Sequence, residues 1–113
     1  MNSLTKPTIV CLCGSIRFGD AFAKANLDET LAGRIVLTIG CSMKRDAELF
    51  AHYSEVEKSR VKTDLDELHR RKIDLAGEVL ILNVGGYIGE STRGEIKYAL
   101  TNGKKIRYLE PVK

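Results

Sequence analysis

Four short apolar runs alternate with three longer segments of helical periodicity, and this alternation constrains the fold more than any other feature of the chain. Thr8 to Cys13 is apolar and β-branched, bounded by Pro7 and Gly14. Arg34 to Ile39 stops at Gly40, Glu78 to Val84 runs into a glycine-rich turn, and Lys105 to Leu109 precedes Pro111. Between these strand-like runs, Phe18, Ala21, Phe22, Ala25 and Leu31 recur at helical spacing, with Gly33 as a C-terminal stop. Val56 to Leu75 reads as a long amphipathic helix with Val61, Leu65, Leu68 and Leu75 on its apolar face. Met43 to Tyr53 reads as a loop with a helical turn, and Thr92 to Thr101 as a helix closed by Asn102-Gly103.

Repeated strand–helix–strand units predict a parallel sheet with right-handed crossovers and helices on both faces. The expected fold is therefore a three-layer α/β/α sandwich of flavodoxin-like or Rossmann-like type. Its four strands, near 8–13, 34–39, 78–84 and 105–109, take the order 2-1-3-4. The 113 residues are expected to form one domain spanning 1–113, since smaller pieces could not bury a core. A sheet this thin favours a homodimer or larger assembly.

Composition excludes several function classes. A net charge of +3 is spread without blocks, and only seven residues are aromatic, so nothing resembles a nucleic-acid platform. The apolar runs are far shorter than the roughly 18 residues of a membrane span. The N-terminus reads as a short tail without a secretory core. Cys11 and Cys13 alternate on the first strand and share a face, while Cys41 stands alone. An odd count without metal spacing predicts reduced, packed thiols in the cytoplasm.

Two turns carry the candidate chemistry. In an open α/β sheet, the turns that leave the carboxyl ends of the strands lie along one edge, where ligands bind. The first, Cys13-Gly14-Ser15-Ile16-Arg17, offers a glycine for close backbone approach, free amides, the Ser15 hydroxyl and the Arg17 fork. These groups suit a phosphate. The same residues also make a tight turn with Ser15 as a cap and Arg17 as a solvated charge.

The second turn runs Gly85-Gly86-Tyr87-Ile88-Gly89-Glu90-Ser91-Thr92-Arg93-Gly94-Glu95. It brings a carboxylate, Glu95, to a helix start, where it could act as a nucleophile. Thr92 to Glu95 also matches a capping box, in which the glutamate serves only the helix end. Tyr87 and Tyr98 could line a slot for a base, although Tyr98 also suits the core. Asp66, His69 and Asp74 follow one another along the long helix, with Arg70 between the two carboxylates. A salt-bridged surface helix is the plainer account of them. His69 is one of two histidines and has no partner at ligand spacing, so no metal site is expected.

At these residues the chain resembles the nucleoside 2-deoxyribosyltransferase superfamily, which includes the 2′-deoxynucleoside 5′-phosphate N-hydrolases. The resemblance covers most of the chain, from the first strand to the fourth. Cys13-Gly14-Ser15-Ile16-Arg17 is similar to the phosphate turn of the N-hydrolase branch, and Gly94-Glu95-Ile96-Lys97-Tyr98-Ala99 to the helix start bearing the family's nucleophilic glutamate. It implies that Glu95 attacks the anomeric carbon, forms a glycosyl ester and releases the base. The family's helper aspartate aligns near Arg70, so Asp74 or Asp66 would supply the acid. Gly14, Ser15, Ile16, Arg17, Gly86, Tyr87, Gly89 and Ser91 would bind substrate, with Thr92 and His69 as further candidates.

The resemblance calls for no cofactor. The chain stops soon after the fourth strand, whereas the transferase branch uses C-terminal residues to hold the sugar in a neighbouring site. The expected function is an N-glycosidase acting on a nucleoside 5′-monophosphate. A base-exchanging deoxyribosyltransferase and a non-catalytic nucleotide-binding module are the alternatives.

Overall fold

The computed structural model describes residues 6–39 and 50–112. Most of the expected 43–53 loop, and Cys41, lie outside the described residues. Strands β1 (Ile9–Cys13), β2 (Ile35–Leu37), β3 (Glu78–Ile81) and β4 (Lys105–Tyr108) form one sheet in the order β2-β1-β3-β4. All three pairings are parallel, with Cys11 beside Leu37 and Val79, and Ile81 between Cys13 and Tyr108. Helices α1 (Gly19–Leu31), α2 (Glu55–Leu75) and α3 (Glu90–Thr101) provide the crossovers. The expected strand order and fold class are those observed.

Strand alternation divides the core into two layers. Val10, Leu12, Leu80 and Leu82 face α1 and pack with Phe22 and Ala25. Cys11, Cys13, Val79 and Ile81 face the other way and pack with Ile73, Ala76 and Ala99, beside α2 and α3. The central strands β1 and β3 are thus covered on both faces. Gly14 lets β1 leave the sheet close to β3: a Cβ there would meet Leu82 Cβ at 3.1 Å and the Leu82 carbonyl at 3.3 Å.

The helix starts differ from expectation. Ser54 caps α2, its Oγ accepting from the Glu57 amide at 3.1 Å, so Ser54–Glu57 carries a capping signal just before the expected start. The apolar stripe on α2 is also displaced. Leu65, Leu68 and Leu75 are 54%, 51% and 68% exposed, while His69, Ile73 and the following Ala76 are buried. The helix therefore turns a mixed polar and apolar stripe toward the sheet.

Helix α3 starts at Glu90, with Gly89 at its cap position and no side-chain cap. Thr92 is a buried interior residue and Glu95 lies in the second turn. The expected Thr92–Glu95 capping box is not formed.

An ionic network closes the end of the sheet where β2 and β3 begin. Glu29 near the end of α1 accepts from Arg107 of β4 and lies 3.6 Å from Arg34. Arg107 Nε also donates to Glu78 at 2.8 Å. No described helix is long and apolar enough to cross a membrane.

Candidate functional site

The two glycine turns meet at the carboxyl edge of the sheet. The segment after β1 forms a 3-10 turn over Ile16–Phe18, capped by Ser15 Oγ accepting from the Arg17 amide at 3.3 Å. Ser15 thus takes the capping role open to it from sequence. The Arg17 guanidinium lies over the Tyr87 ring, 4.3 Å from its centroid, and Phe18 meets the same ring edge-on at 5.9 Å. Tyr87 belongs to the second turn, so these stacks join the two loops and hold an exposed Arg17 in one place.

The second turn is built from its backbone. Gly85 and Gly86 take φ of +63° and +81°, a region costly for residues with a Cβ. Their amides are already committed: Gly85 donates to Glu110 Oε2 at 3.0 Å and Gly86 to the Asn83 carbonyl at 2.9 Å. Asn83, buried at the end of the β3 run, exchanges two 2.9 Å hydrogen bonds with the Glu110 backbone. Gly86 therefore shapes the loop but keeps its amide from a ligand. Gly89 leaves room for Tyr87, whose hydroxyl would lie 3.2 Å from a Cβ at that position. Ile16 is exposed on the first turn.

Beside this turn, α2 and α3 frame a cleft of about 320 Å³ lined by Lys62, Asp66, Arg70, Glu90, Ser91, Gly94 and Glu95. Lys62, Asp66 and Arg70 occupy successive turns of one helix face. The structure brings Asp66, Ser91 and Glu95 together, but not Asp74. Asp74 sits at the last turn of α2, where it accepts from the Tyr98 hydroxyl at 2.5 Å and pairs with Arg71 at 3.3 Å. The bond to Asp74 raises the Tyr98 pKa and directs its hydroxyl toward the far end of α2. Tyr98 packs against the core and contributes no base-binding slot at this cleft. Thr92, buried on α3, does not line it either.

Glu95 closes the back of the cleft. Its Oε2 is 3.7 Å from Nε2 of His69. That nitrogen also lies 3.2 Å from Cys13 Sγ and 3.8 Å from Cys11 Sγ. Burial raises the Glu95 pKa, the His69 charge opposing and the nearby Cys11 and Asp66 reinforcing the shift. Burial alone would lower the His69 pKa, but its hydrogen bond with Cys11 and the Glu95 charge bring it above the ordinary value. Between the thiols, the contact from Cys13 lowers the Cys11 pKa, while that contact and burial raise Cys13.

This buried cluster went unread in the sequence. Shared-face cysteines on β1 were legible as packing, but His69 stands 56 residues from Cys13, and only the fold unites them. The expectation that His69 lacks ligand-type partners is corrected: three potential metal-binding side chains, Cys11, Cys13 and His69, place their donor atoms within 4.8 Å of one another. Comparison with protein-family models, curated proteins and solved structures finds no match to this chain.

Proposed function

We propose that this protein is an N-glycosidase that cleaves the base from a nucleoside 5′-monophosphate through a covalent glycosyl ester on Glu95. The observation that carries this reading is the position of Glu95. It is a partly buried carboxylate at the back of a polar cleft, freed from any helix-capping task and faced by Asp66. The resemblance of the two turn motifs to the deoxyribosyltransferase superfamily supports the same assignment.

In the first step a Glu95 oxygen attacks the anomeric carbon, and the bond to the base breaks with its electrons leaving on the base nitrogen. Asp66 passes a proton to that base and replaces Asp74 as the acid. In the second step water attacks the anomeric carbon, its bond to the Glu95 oxygen breaks to return the carboxylate, Asp66 takes up the water's proton, and free sugar phosphate leaves. His69, close to Glu95, favours the ionised carboxylate that the first step requires. Arg17, steadied on Tyr87, receives the 5′-phosphate with Ser15 and Gly14 shaping the turn below it.

Product analysis with and without an added acceptor base tests this reading. Free sugar phosphate in both reactions supports the hydrolase. A new nucleoside would instead support the transferase, and tight binding without turnover the binding module. Two further expectations attach to the proposal. A second copy of the chain would cover the exposed Leu65, Leu68 and Leu75 stripe, so sedimentation should give a dimer or larger. The buried free thiols Cys11 and Cys13 suit a reducing, cytoplasmic setting.

A further inference from the structure

The cluster behind Glu95 joins three elements through one ring nitrogen, with the Cys11 thiol also 3.9 Å from the Leu12 carbonyl. Cys11 and Cys13 of β1, His69 of α2 and Glu95 of α3 converge on one ring nitrogen, with both cysteines fully buried. His69 Nε2 carries either one proton or one lone pair, so it satisfies one of its three neighbours at a time. A cysteine–histidine–carboxylate triad does not describe the arrangement. In a triad the carboxylate orients the ring through its second nitrogen, whereas here Glu95 and both sulfurs sit at the same nitrogen.

Tetrahedral coordination uses every donor at once. With metal–ligand bonds of about 2.0–2.3 Å, ligand atoms at the corners of a tetrahedron lie about 3.3–3.8 Å apart. The distances from Nε2 are 3.2, 3.8 and 3.7 Å, and the two sulfurs and Nε2 lie within 4.8 Å of one another, so the side chains need to close inward only slightly around an ion. We propose that Cys11, Cys13, His69 and Glu95 form a binding site for a thiophilic divalent cation of the zinc class.

The donor set selects the metal. Two thiolates, an imidazole and a carboxylate suit zinc and disfavour magnesium or calcium, which take all-oxygen shells. The elements supply the geometry: alternate residues of β1 place both sulfurs on one face, and α2 and α3 bring the other ligands over them. Binding needs both sulfurs as thiolates and Nε2 without its proton, so the protons the cluster holds leave to solvent and the site keeps one net negative charge. Lys72, whose charge already acts on Cys11 and His69, lies near enough to offset it. Glu95 is the one ligand that reaches the cleft, so the ion enters there.

Affinity follows from the other ring nitrogen. Among the described residues His69 Nδ1 is buried without a hydrogen-bond partner, so a proton placed there by metal binding at Nε2 goes unpaired. Outer partners of ligating histidines are worth roughly 10–100-fold in affinity, which puts this site below a structural zinc site and makes its ion exchangeable. One consequence rests on the glycosidase reading: zinc and substrate compete for Glu95, so zinc-loaded protein does not turn over.

Cobalt titration of the reduced full-length chain tests the site without reference to activity. The expected result is one equivalent bound, with thiolate-to-cobalt charge-transfer bands and strong tetrahedral visible bands, displaced by stoichiometric zinc. The charge-transfer bands should vanish in the C11S/C13S double variant, with folding checked by circular dichroism. Glu95→Gln offers an arm that leaves the buried thiols intact. A direct ligand is worth no less than an outer partner, so cobalt affinity should fall about tenfold or more while the thiolate bands persist.

Folded wild type without thiolate bands at millimolar cobalt would overturn the proposal. So would bands that survive loss of Cys11 and Cys13 but disappear in Cys41→Ser. The two readings separate cleanly: cobalt bands in a protein that does not turn over even when freed of metal by chelation would uphold the metal site and sink the glycosidase. Turnover in a protein without those bands would do the reverse.

Discussion

Replacing Arg17 and Tyr87 singly and together separates phosphate recognition from the packing that prepares it. The guanidinium sits 4.3 Å from the Tyr87 centroid, and Phe18 braces the ring from its edge. A charge-assisted contact from Arg17 to a phosphate is worth about 1.5–3 kcal/mol, so Arg17→Ala should weaken 5′-monophosphate binding roughly ten- to a hundredfold. Binding of the unphosphorylated nucleoside should barely change. Tyr87 contributes through the stack alone. An exposed cation–π contact is worth about 0.5–1 kcal/mol, which makes Tyr87→Leu a roughly two- to fivefold loss. With Arg17 already removed, Tyr87→Leu should add nothing, giving a coupling energy equal to its single effect. Calorimetry in the Glu95→Gln background measures binding without turnover. Equal losses for nucleotide and nucleoside would assign Arg17 to structure. Additive losses in the double variant would show Tyr87 contacting ligand by itself.

The other expectations concern the carboxylates and the β1 turn. Because burial raises the Glu95 pKa, the folded chain binds this proton more tightly than the unfolded chain. The associated stability is therefore present below the ordinary carboxylate value and lost as pH rises through the folded one. Glu95→Gln should match wild type near pH 4, on the order of the unfolded pKa, and melt higher at neutral pH. A lower melting temperature at neutral pH would restore a stabilising role for the carboxylate. Asp66→Asn should cut turnover by about 10²–10⁴-fold, the range for loss of a general acid, and Asp74→Asn should leave it nearly unchanged. Reversed effects in a kinetic assay would return the acid to Asp74. Gly14→Ala should destabilise by about 1–3 kcal/mol in denaturant melts, since its Cβ would press on Leu82, and an unchanged midpoint would show that β3 yields easily.

What the sequence revealed and concealed has physical causes. The order of strands and helices was legible because alternating apolar runs and helical spacings act locally, and parallel β–α–β connections leave few topologies. The face of α2 was not legible. Leu65, Leu68 and Leu75 form a clearer apolar stripe than His69, Ile73 and Ala76, yet the latter carry the core contact. Hydrophobicity therefore indicated a helix but not which side met the sheet. The start of α3 was misplaced because Thr92-Arg93-Gly94-Glu95 has the spacing of a capping box, while the Gly89 backbone conformation set the true start. Glu95 and Asp66 could be named from motif and helix position. Their company could not, because Cys11, Cys13 and His69 approach Glu95 only across three separate elements.

Covalent trapping on Glu95 tests the central claim most directly. A 2-fluoro nucleoside 5′-monophosphate slows breakdown of the glycosyl ester more than its formation, so an intermediate on the enzyme accumulates. After incubation and proteolysis, mass spectrometry should find the fluorinated sugar phosphate on the peptide containing Glu95. The adduct should be absent from Glu95→Gln and should disappear as free sugar phosphate is released. Base release without any adduct, or an adduct on a different side chain, would contradict the assignment of Glu95 as the nucleophile.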